Sequence, residues 1–311
     1  MQYIHSKIQD LNIIKSLGVT IGNFDGLHLG HRKLLSNLIK ISKNNNISSC
    51  LISFNPHPIT YFKKDKNFLI NLEQTKIELL KKIGLDFYVS IIFDEQIANF
   101  TNEEFESKVL LSCLNTKLIL SGLDFKYGKN RSGNITTLKK FSLKNNIDFN
   151  TEEEMVAENF PSKISSTTIR NLIRAGNVQL ASKMLGRKFE FIGTIIKGDR
   201  RGRTIGVPTA NLQYNNFQVE LSKGVYAVKV ILEDQIYNGI ANYGIRPTFN
   251  QIIPLIEVHI FDFNKDIYGK KIKVQFKEKI REEIKFDGIE ELLKQIKKDI
   301  SMAREILHNG N

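Results

Sequence analysis

Residues 18–31 read Gly18-Val19-Thr20-Ile21-Gly22-Asn23-Phe24-Asp25-Gly26-Leu27-His28-Leu29-Gly30-His31. The stretch 18–22 reads as a short buried strand that ends on a glycine. A glycine-rich turn follows. From residue 30 to 43 the apolar positions Leu34, Leu35, Leu38, Ile39 and Ile41 recur at helical spacing. A strand, a tight turn and a helix start in direct succession form the first half of a strand–helix–strand unit. Working outward, strands are predicted at 47–54, 86–93 and 117–121, and helices at 73–83 and 102–114. Strands that alternate with helices predict a parallel sheet with crossover connections. Ligands of such sheets bind at the carboxyl ends of the strands, where Gly22–His31 lies.

The second half has a different texture. Short helices are expected near 166–175 and 177–185, with Gly176 and Gly186 where each should stop. Beyond Gly186, strands are predicted at 190–196, 225–232, 236–241, 255–263 and 271–277, separated by Gly, Asn and Pro turns. No helical stretch intervenes until 288–307. That order predicts a small antiparallel barrel with one terminal helix. A length of 311 residues suits two domains, and the change of texture sets them at 1–185 and 186–311.

Composition narrows the class. With 41% apolar and 25% charged residues the chain can fill two cores. It contains no run of eighteen apolar residues and no basic-then-apolar leader, so neither a membrane partner nor secretion is expected. The two cysteines, Cys50 and Cys113, sit among apolar residues and are expected as buried thiols in a reducing, cytoplasmic setting. The net charge of +12 comes from lysines spread along a chain rich in Lys, Asn and Ile. No basic block or RNA-binding signature stands out, so no nucleic-acid partner is expected. The charge would help attract anionic nucleotides. Nothing in the pattern fixes an oligomeric state.

Two segments carry chemistry. In the first, Gly22, Gly26 and Gly30 allow backbone N–H groups to approach phosphate oxygens, and the helix N-terminus adds favourable partial charge. Asn23, Phe24 and Asp25 complete the turn. His28 and His31 share a face of the first helical turn and can donate hydrogen bonds to a phosphate that gains charge. Ser165, Ser166 and Thr167 open a later helix as natural caps, with Arg170 in its first turn. A cation there is slightly disfavoured by the helix dipole, which a bound anion would offset. No Walker lysine motif is present.

The second segment runs Gly193-Thr194-Ile195-Ile196-Lys197-Gly198-Asp199-Arg200-Arg201-Gly202-Arg203-Thr204-Ile205-Gly206-Val207-Pro208-Thr209-Ala210-Asn211. A strand enters a loop with Gly198, Gly202 and Gly206, able to wrap a nucleotide through its backbone. Pro208 biases Val207 away from helix. In an extended chain Thr209 and Asn211 project to one side and offer hard oxygens suited to Mg²⁺. Glu257 lies on an alternating strand and points away from Ile256 and Val258. The pattern alone leaves it either a polar-face residue or a functional one. Arg281 and Phe286 sit in a charged run ahead of the last helix, which by itself could be a solvated face.

Taken together, these motifs resemble those of the bacterial bifunctional riboflavin kinase/FAD synthetases. G-x-F-D-G-x-H-x-G-H with S-S-T-x-I-R is similar to the nucleotidylyltransferase module. Phe54-Asn55-Pro56-His57-Pro58 resembles its F-x-P-H-P segment, and Leu123-Asp124-Phe125-Lys126-Tyr127-Gly128 its D-F-x-F-G segment, with Tyr127 where Phe is usual. The glycine loop with P-T-A-N resembles the riboflavin kinase module, with Val207 where Phe is common. Asn242-Tyr243-Gly244-Ile245-Arg246-Pro247-Thr248 resembles its N-x-G-x-x-P-T turn. The resemblance implies a Rossmann-like α/β domain followed by a β-barrel domain. It implies phosphorylation of riboflavin to FMN by ATP, then adenylylation of FMN to FAD with loss of pyrophosphate, both with Mg²⁺. By resemblance, Phe54, Asn55, His57, Asp124 and Phe125 would surround flavin and nucleotide in the first module. Gly193, Gly198, Gly202, Arg203 and Gly206 would hold ATP in the second. Thr209 and Asn211 would hold the metal, Glu257 would be the base, and Arg281 and Phe286 would lie near the flavin.

Overall fold

A computed structural model describes residues 1–63, 66–153, 160, 163–198, 206–215, 217–248 and 251–309, with the side chains of 245–248 and 251–254 outside the description. The chain divides into two compact units, Met1–Ser166 and Thr167–Asn311. The first holds strands β1 (Gln2–Ser6), β2 (Ile13–Ile21), β3 (Ser48–Asn55), β4 (Phe87–Ile92), β5 (Leu114–Gly122), a β6–β7 ribbon (Lys126–Tyr127, Gly133–Asn134) and β8 (Asp148–Glu152). Its helices are α1 (Leu29–Asn44), α2 (Pro58–Lys63), α3 (Glu73–Ile83), α4 (Glu95–Asn99), α5 (Asn102–Glu104) and α6 (Ile135–Lys144).

The main sheet has six strands in the order β1-β4-β3-β2-β5-β8, all parallel as expected. Both faces are buried, which is why its strands read as apolar runs. Leu17, Val19, Cys50, Ile52, Val89 and Ile119 pack on one face, while Leu51, Tyr88, Leu118 and Leu120 pack on the other under Leu34, Leu35, Leu38 and Leu80. The chain steps from β2 through β3 to β4 in one direction and then places β5 on the other side of β2. The order therefore reverses at the β2–β5 pair.

Some elements depart from expectation. The helix expected over 102–114 is a single α turn, capped by Thr101 and Glu104, that continues as a π-helix over Phe105–Cys113. The wider winding turns Phe105, Glu106, Val109 and Leu110 inward together. Cys50 is buried, but Cys113 is only half-buried, its thiol directed at the carbonyl of Ile8 at 3.5 Å. Strands β1 and β8 and helix α6 were not expected from periodicity. β1 and β8 are partly exposed edge strands, and α6 buries only Leu138 and Ser142.

The second unit begins in helix α7 (Ser166–Arg174), followed by α8 (Val178–Leu185). Gly186 ends α8 in a left-handed conformation (φ 66°). Strands β9 (Phe189–Ile196), β10 (Ala210–Tyr214), β11 (Gly224–Leu232), β12 (Gln235–Thr248), β13 (Gln251–Ile260) and β14 (Lys271–Arg281) close into a barrel in the order β10-β13-β12-β11-β14-β9. All its pairs are antiparallel. Phe189, Phe191, Tyr226, Tyr243, Ile256, Val258 and Phe276 are among its buried side chains. The C-terminal helix α9 (Ile289–Asn309) lays Ala303 and Leu307 against Val225, Ala227, Ile240 and Phe261. The segment Asn242–Thr248 is the end of β12, not a turn, because it stays paired with β13 to Gln251. Helix α8 packs on β9 and β14, so the helices ahead of Gly186 belong with the barrel by contact.

Candidate functional sites

In the first unit, the three motif segments follow the carboxyl ends of three adjacent strands: Gly22–His31 after β2, Phe54–Pro58 at the end of β3, and Gly122–Gly128 after β5. The reversal between β2 and β5 puts Gly22–His31 where open parallel sheets hold ligands. The turn is tightly wound, with positive φ at Phe24 (49°), Gly26 (82°) and Leu27 (43°). Two of these are bulky side chains held in a costly backbone region.

Buried bonds hold that turn. The Asp25 carboxylate accepts the backbone N–H of Ile70 at 3.0 Å and of Asn71 at 3.2 Å. The Asp25 carbonyl accepts the Ser166 hydroxyl at 2.8 Å, and the Asn23 carbonyl accepts that of Ser53 at 3.4 Å. Asp25 is therefore a tie within the protein, not a group displayed to a phosphate. The Oδ1 of Asn23 is buried without a hydrogen-bond partner among the described residues.

His28 caps α1 and its Nδ1 accepts the N–H of His31 at 3.3 Å. An accepting Nδ1 leaves Nε2 as the proton-bearing nitrogen of the neutral ring. The two imidazoles stack with centroids 3.6 Å apart, and His31 rests on Phe24 at 4.6 Å. Both rings are held at the positive end of a helix of 16 residues, with Gly30 between them. Of the later helix, Ser165 is half-buried, Thr167 is exposed and Arg170 is buried.

The other expected contacts divide. Phe54 packs on Phe93 at 5.7 Å and Phe105 at 6.2 Å, and Asn55 ends β3. The His57 ring accepts the N–H of Ile59 at 3.1 Å and lies on Phe68. Asp124 is exposed and pairs with Lys163 at 3.2 Å. Phe125 stacks on Tyr127 at 5.3 Å. The Tyr127 hydroxyl donates to the buried carboxylate of Glu106, a partner that Phe could not satisfy. Sequence reasoning passed over Tyr61 and Phe62, exposed rings that meet Phe93 edge-on at 5.3 and 5.7 Å. The signal was the pair of aromatics just after Pro58.

In the barrel, cross-strand pairing sets the site. Asn211 on β10 faces Glu257 on β13, which faces Asn242 on β12, which faces Val225 on β11, which faces Arg281 on β14. Directly paired residues project to one face. Buried Ile256 and Val258 flank Glu257 on the opposite, inner face, so Glu257 points outward as expected. Thr209, Asn242, Glu257, His259, Arg281 and Phe286 all line one cavity of about 730 Å³. A second cavity, of about 510 Å³, is lined by Pro208, Thr209, Asn264, Lys265, Asp266 and Tyr268 among others. Thr209 lines both.

Gly202 and Arg203 lie outside the described residues. A Cβ on Gly198 would collide with the side-chain amide of Asn211, whose own Oδ1 is buried without a hydrogen-bond partner among the described residues. Gly206 takes φ 76°, and none of the described residues lies within 4 Å of where its Cβ would stand. Gly193 lies inside β9, where a Cβ would strike the Gln213 carbonyl, so strand packing accounts for it. Arg281 is held by Asp299 of α9, with Nη2 to Oδ2 at 2.8 Å, and its guanidinium lies 5.8 Å from the Phe286 ring. Unmarked by sequence were Asp299, His259 and Glu283, all lining the larger cavity. Glu283 places its carboxylate where a Cβ on Gly244 would stand.

Comparison with known proteins matches both parts of the chain to families. A family model for FAD synthetase matches residues 12–168, and one for riboflavin kinase matches 185–307. The chain is 38% identical to the bifunctional riboflavin kinase/FMN adenylyltransferase of Haemophilus influenzae, covering 99% of this chain and 100% of that protein. It is 39% identical to the same enzyme of Buchnera aphidicola subsp. Schizaphis graminum, over 92% and 93%. The chain belongs to the bifunctional riboflavin kinase/FMN adenylyltransferase family. A crystal structure from Streptococcus pneumoniae, described as a macrolide-efflux protein, superposes with a TM-score of 0.88 at 31% identity, covering 98% and 99% of the two chains. Among the described residues no helix is long and apolar enough to cross a membrane.

As a family member the enzyme phosphorylates riboflavin to FMN and adenylylates FMN to FAD, drawing on ATP twice. The adenylyltransferase belongs to the parallel-sheet unit and the kinase to the barrel.

Proposed function

We propose that the riboflavin kinase reaction runs where the two barrel cavities meet at Thr209. In this reading riboflavin lies in the larger cavity with its 5′-hydroxyl toward Glu257, and ATP enters from the smaller one. Glu257 accepts the hydroxyl proton as the oxygen attacks the γ-phosphorus, and ADP leaves. The observation that carries this reading is the row Asn211–Glu257–Asn242, set beside a threonine that lines both cavities.

The residues fit Mg²⁺. A buried amide oxygen without a donor among the described residues, on Asn211, is a ready ligand for a hard cation, and Thr209 adds a hydroxyl. Bound there, the ion would neutralise charge on the ATP phosphates. Gly198 leaves the space that keeps the Asn211 amide in place, and Gly206 and the loop before it are assigned to ATP. Arg281, held by Asp299, gives the flavin a fixed cationic plane with Phe286.

For the adenylyltransferase we assign His28, His31 and Arg170 to the ATP phosphates, with backbone N–H groups of Gly22–Gly30 and the hydroxyls of Ser165 and Thr167, while the Ser166 hydroxyl holds the Asp25 carbonyl. FMN phosphate is already ionised near neutrality, so no base is required. Positioning and charge neutralisation carry that step. The functional division is placed at 185/186, the substrates are small molecules without a nucleic-acid partner, and the two free thiols favour a cytoplasmic setting.

Titrating Mg²⁺ into an Asn211→Ala variant tests the metal assignment. Half-maximal kinase activity should need about tenfold more Mg²⁺ or above, as for loss of one metal ligand, with FMN adenylylation unchanged. An unshifted Mg²⁺ dependence of the kinase would refute the assignment.

A further inference from the structure

We propose that His259 is a positioning residue of the kinase site, holding the Pro208–Thr209 peptide so that Thr209 faces the phosphate groups of ATP. The inference rests on the assignment of Thr209 to metal and phosphate given above, and adds a residue to which no role has been given.

The bond is specific. His259 Nδ1 lies 2.8 Å from the Pro208 carbonyl oxygen. A carbonyl only accepts, so Nδ1 carries the proton and donates. That commitment removes Nδ1 as an acceptor for a substrate proton and fixes the orientation of the ring. The ring is also braced edge-on by Phe261, at 5.7 Å.

The need for the bond follows from the backbone. The β10–β13 ladder pairs Asn211 with Glu257 and Ala210 with Val258, and there it stops. Pro208 has no N–H with which to continue it. The segment carrying Thr209 would then hang from the ladder by one side, next to a glycine-rich loop. The imidazole replaces the missing rung. His259 is two residues beyond Glu257, so both side chains leave β13 on the same face, and both line the larger cavity. Pro208 lines the smaller cavity. One hydrogen bond thus ties the strand that bears the base to the segment that bears the phosphate ligand.

The test uses the full chain as wild type, His259→Ala, His259→Asn, Thr209→Ala and the His259→Ala/Thr209→Ala double variant. Two readouts are taken: KM and kcat of the kinase step for MgATP and for riboflavin, and the affinity of MgADP read from the fluorescence of riboflavin bound to the barrel. His259→Ala should raise KM for MgATP and weaken MgADP about tenfold, the worth of one good hydrogen bond, while KM for riboflavin stays within about twofold. His259→Asn, whose amide N–H can reach the same carbonyl, should recover most of the loss. In the Thr209→Ala background, His259→Ala should cost little more, because the two act through one contact. Equal effects on both substrates, no recovery by Asn, or additive losses in the double variant would overturn the proposal. If Thr209→Ala itself leaves MgATP and MgADP untouched, the parent assignment of Thr209 fails instead. FMN adenylylation, unchanged in every variant, reports that the chain is folded.

Discussion

At the scale of single residues, both sites depend on what is held still. His28 is fixed by the N–H of His31 and by ring stacking, so its Nε2 has one direction in which to donate. Asn211 is fixed differently, by burial on a paired strand with its oxygen left without a partner among the described residues. An unsatisfied buried oxygen is costly unless a ligand takes it up. Gly198 makes that arrangement possible, because any Cβ there displaces the Asn211 amide. Gly198→Ala should therefore lower kinase turnover about tenfold or more, because the added methyl displaces the Asn211 amide, while the adenylyltransferase stays near wild type. Steady-state assays of the two half-reactions check this. Residue roles were the least legible part of the sequence. The motif strings marked His28, His31, Thr209, Asn211 and Glu257, but not that Asp25 spends its carboxylate on the N–H groups of Ile70 and Asn71. Nor did they show His259 reaching Pro208, 51 positions away. Such contacts depend on chain crossings that no local pattern encodes.

At the scale of elements, the period of the apolar residues predicted most of the sheet, most of the barrel and the longer helices, because burial is what sets that period. It failed where burial is slight or the winding unusual. Helix α6 is announced instead by its cap, where the Asn134 side chain accepts the N–H of Thr136 at 2.8 Å. Strand β10 has only five residues and follows a proline, so its alternation is too short to read. The π-helix Phe105–Cys113 turns Glu106 into the core, where Tyr127 is its hydrogen-bond donor. Burial holds the Glu106 carboxyl above its ordinary value of 4.5. The folded chain then binds that proton more tightly than the unfolded chain does. The stability linked to it is full below 4.5 and is lost as pH rises through the raised value. Glu106→Gln keeps an acceptor for Tyr127 and removes the titration. Its melting temperature should gain on wild type as pH rises from 4.5 toward neutrality. Parallel pH profiles for the two proteins would contradict this, and thermal melts across that range decide it.

At the scale of the whole molecule, two unrelated architectures each solve one half of a sequence of reactions on the same flavin. The parallel sheet presents helix N-termini and loops at its carboxyl edge, which suits attack at the α-phosphorus by a phosphate already ionised. The barrel presents outward-facing rows of paired polar residues, which suits a base and a metal beside an alcohol. The change of texture near Gly186 made this division legible in the sequence, although by contact the second unit begins at Thr167. The central claim is that the two chemistries use separate residues. It is tested most directly by chromatographic separation of flavins from two variants supplied with ATP and Mg²⁺. Glu257→Gln should convert FMN to FAD at the wild-type rate but form FMN from riboflavin at least ~100-fold more slowly, the usual worth of a general base. His28→Ala should do the opposite, accumulating FMN without FAD. Loss of both conversions in either variant, with its melting temperature unchanged, would contradict the account.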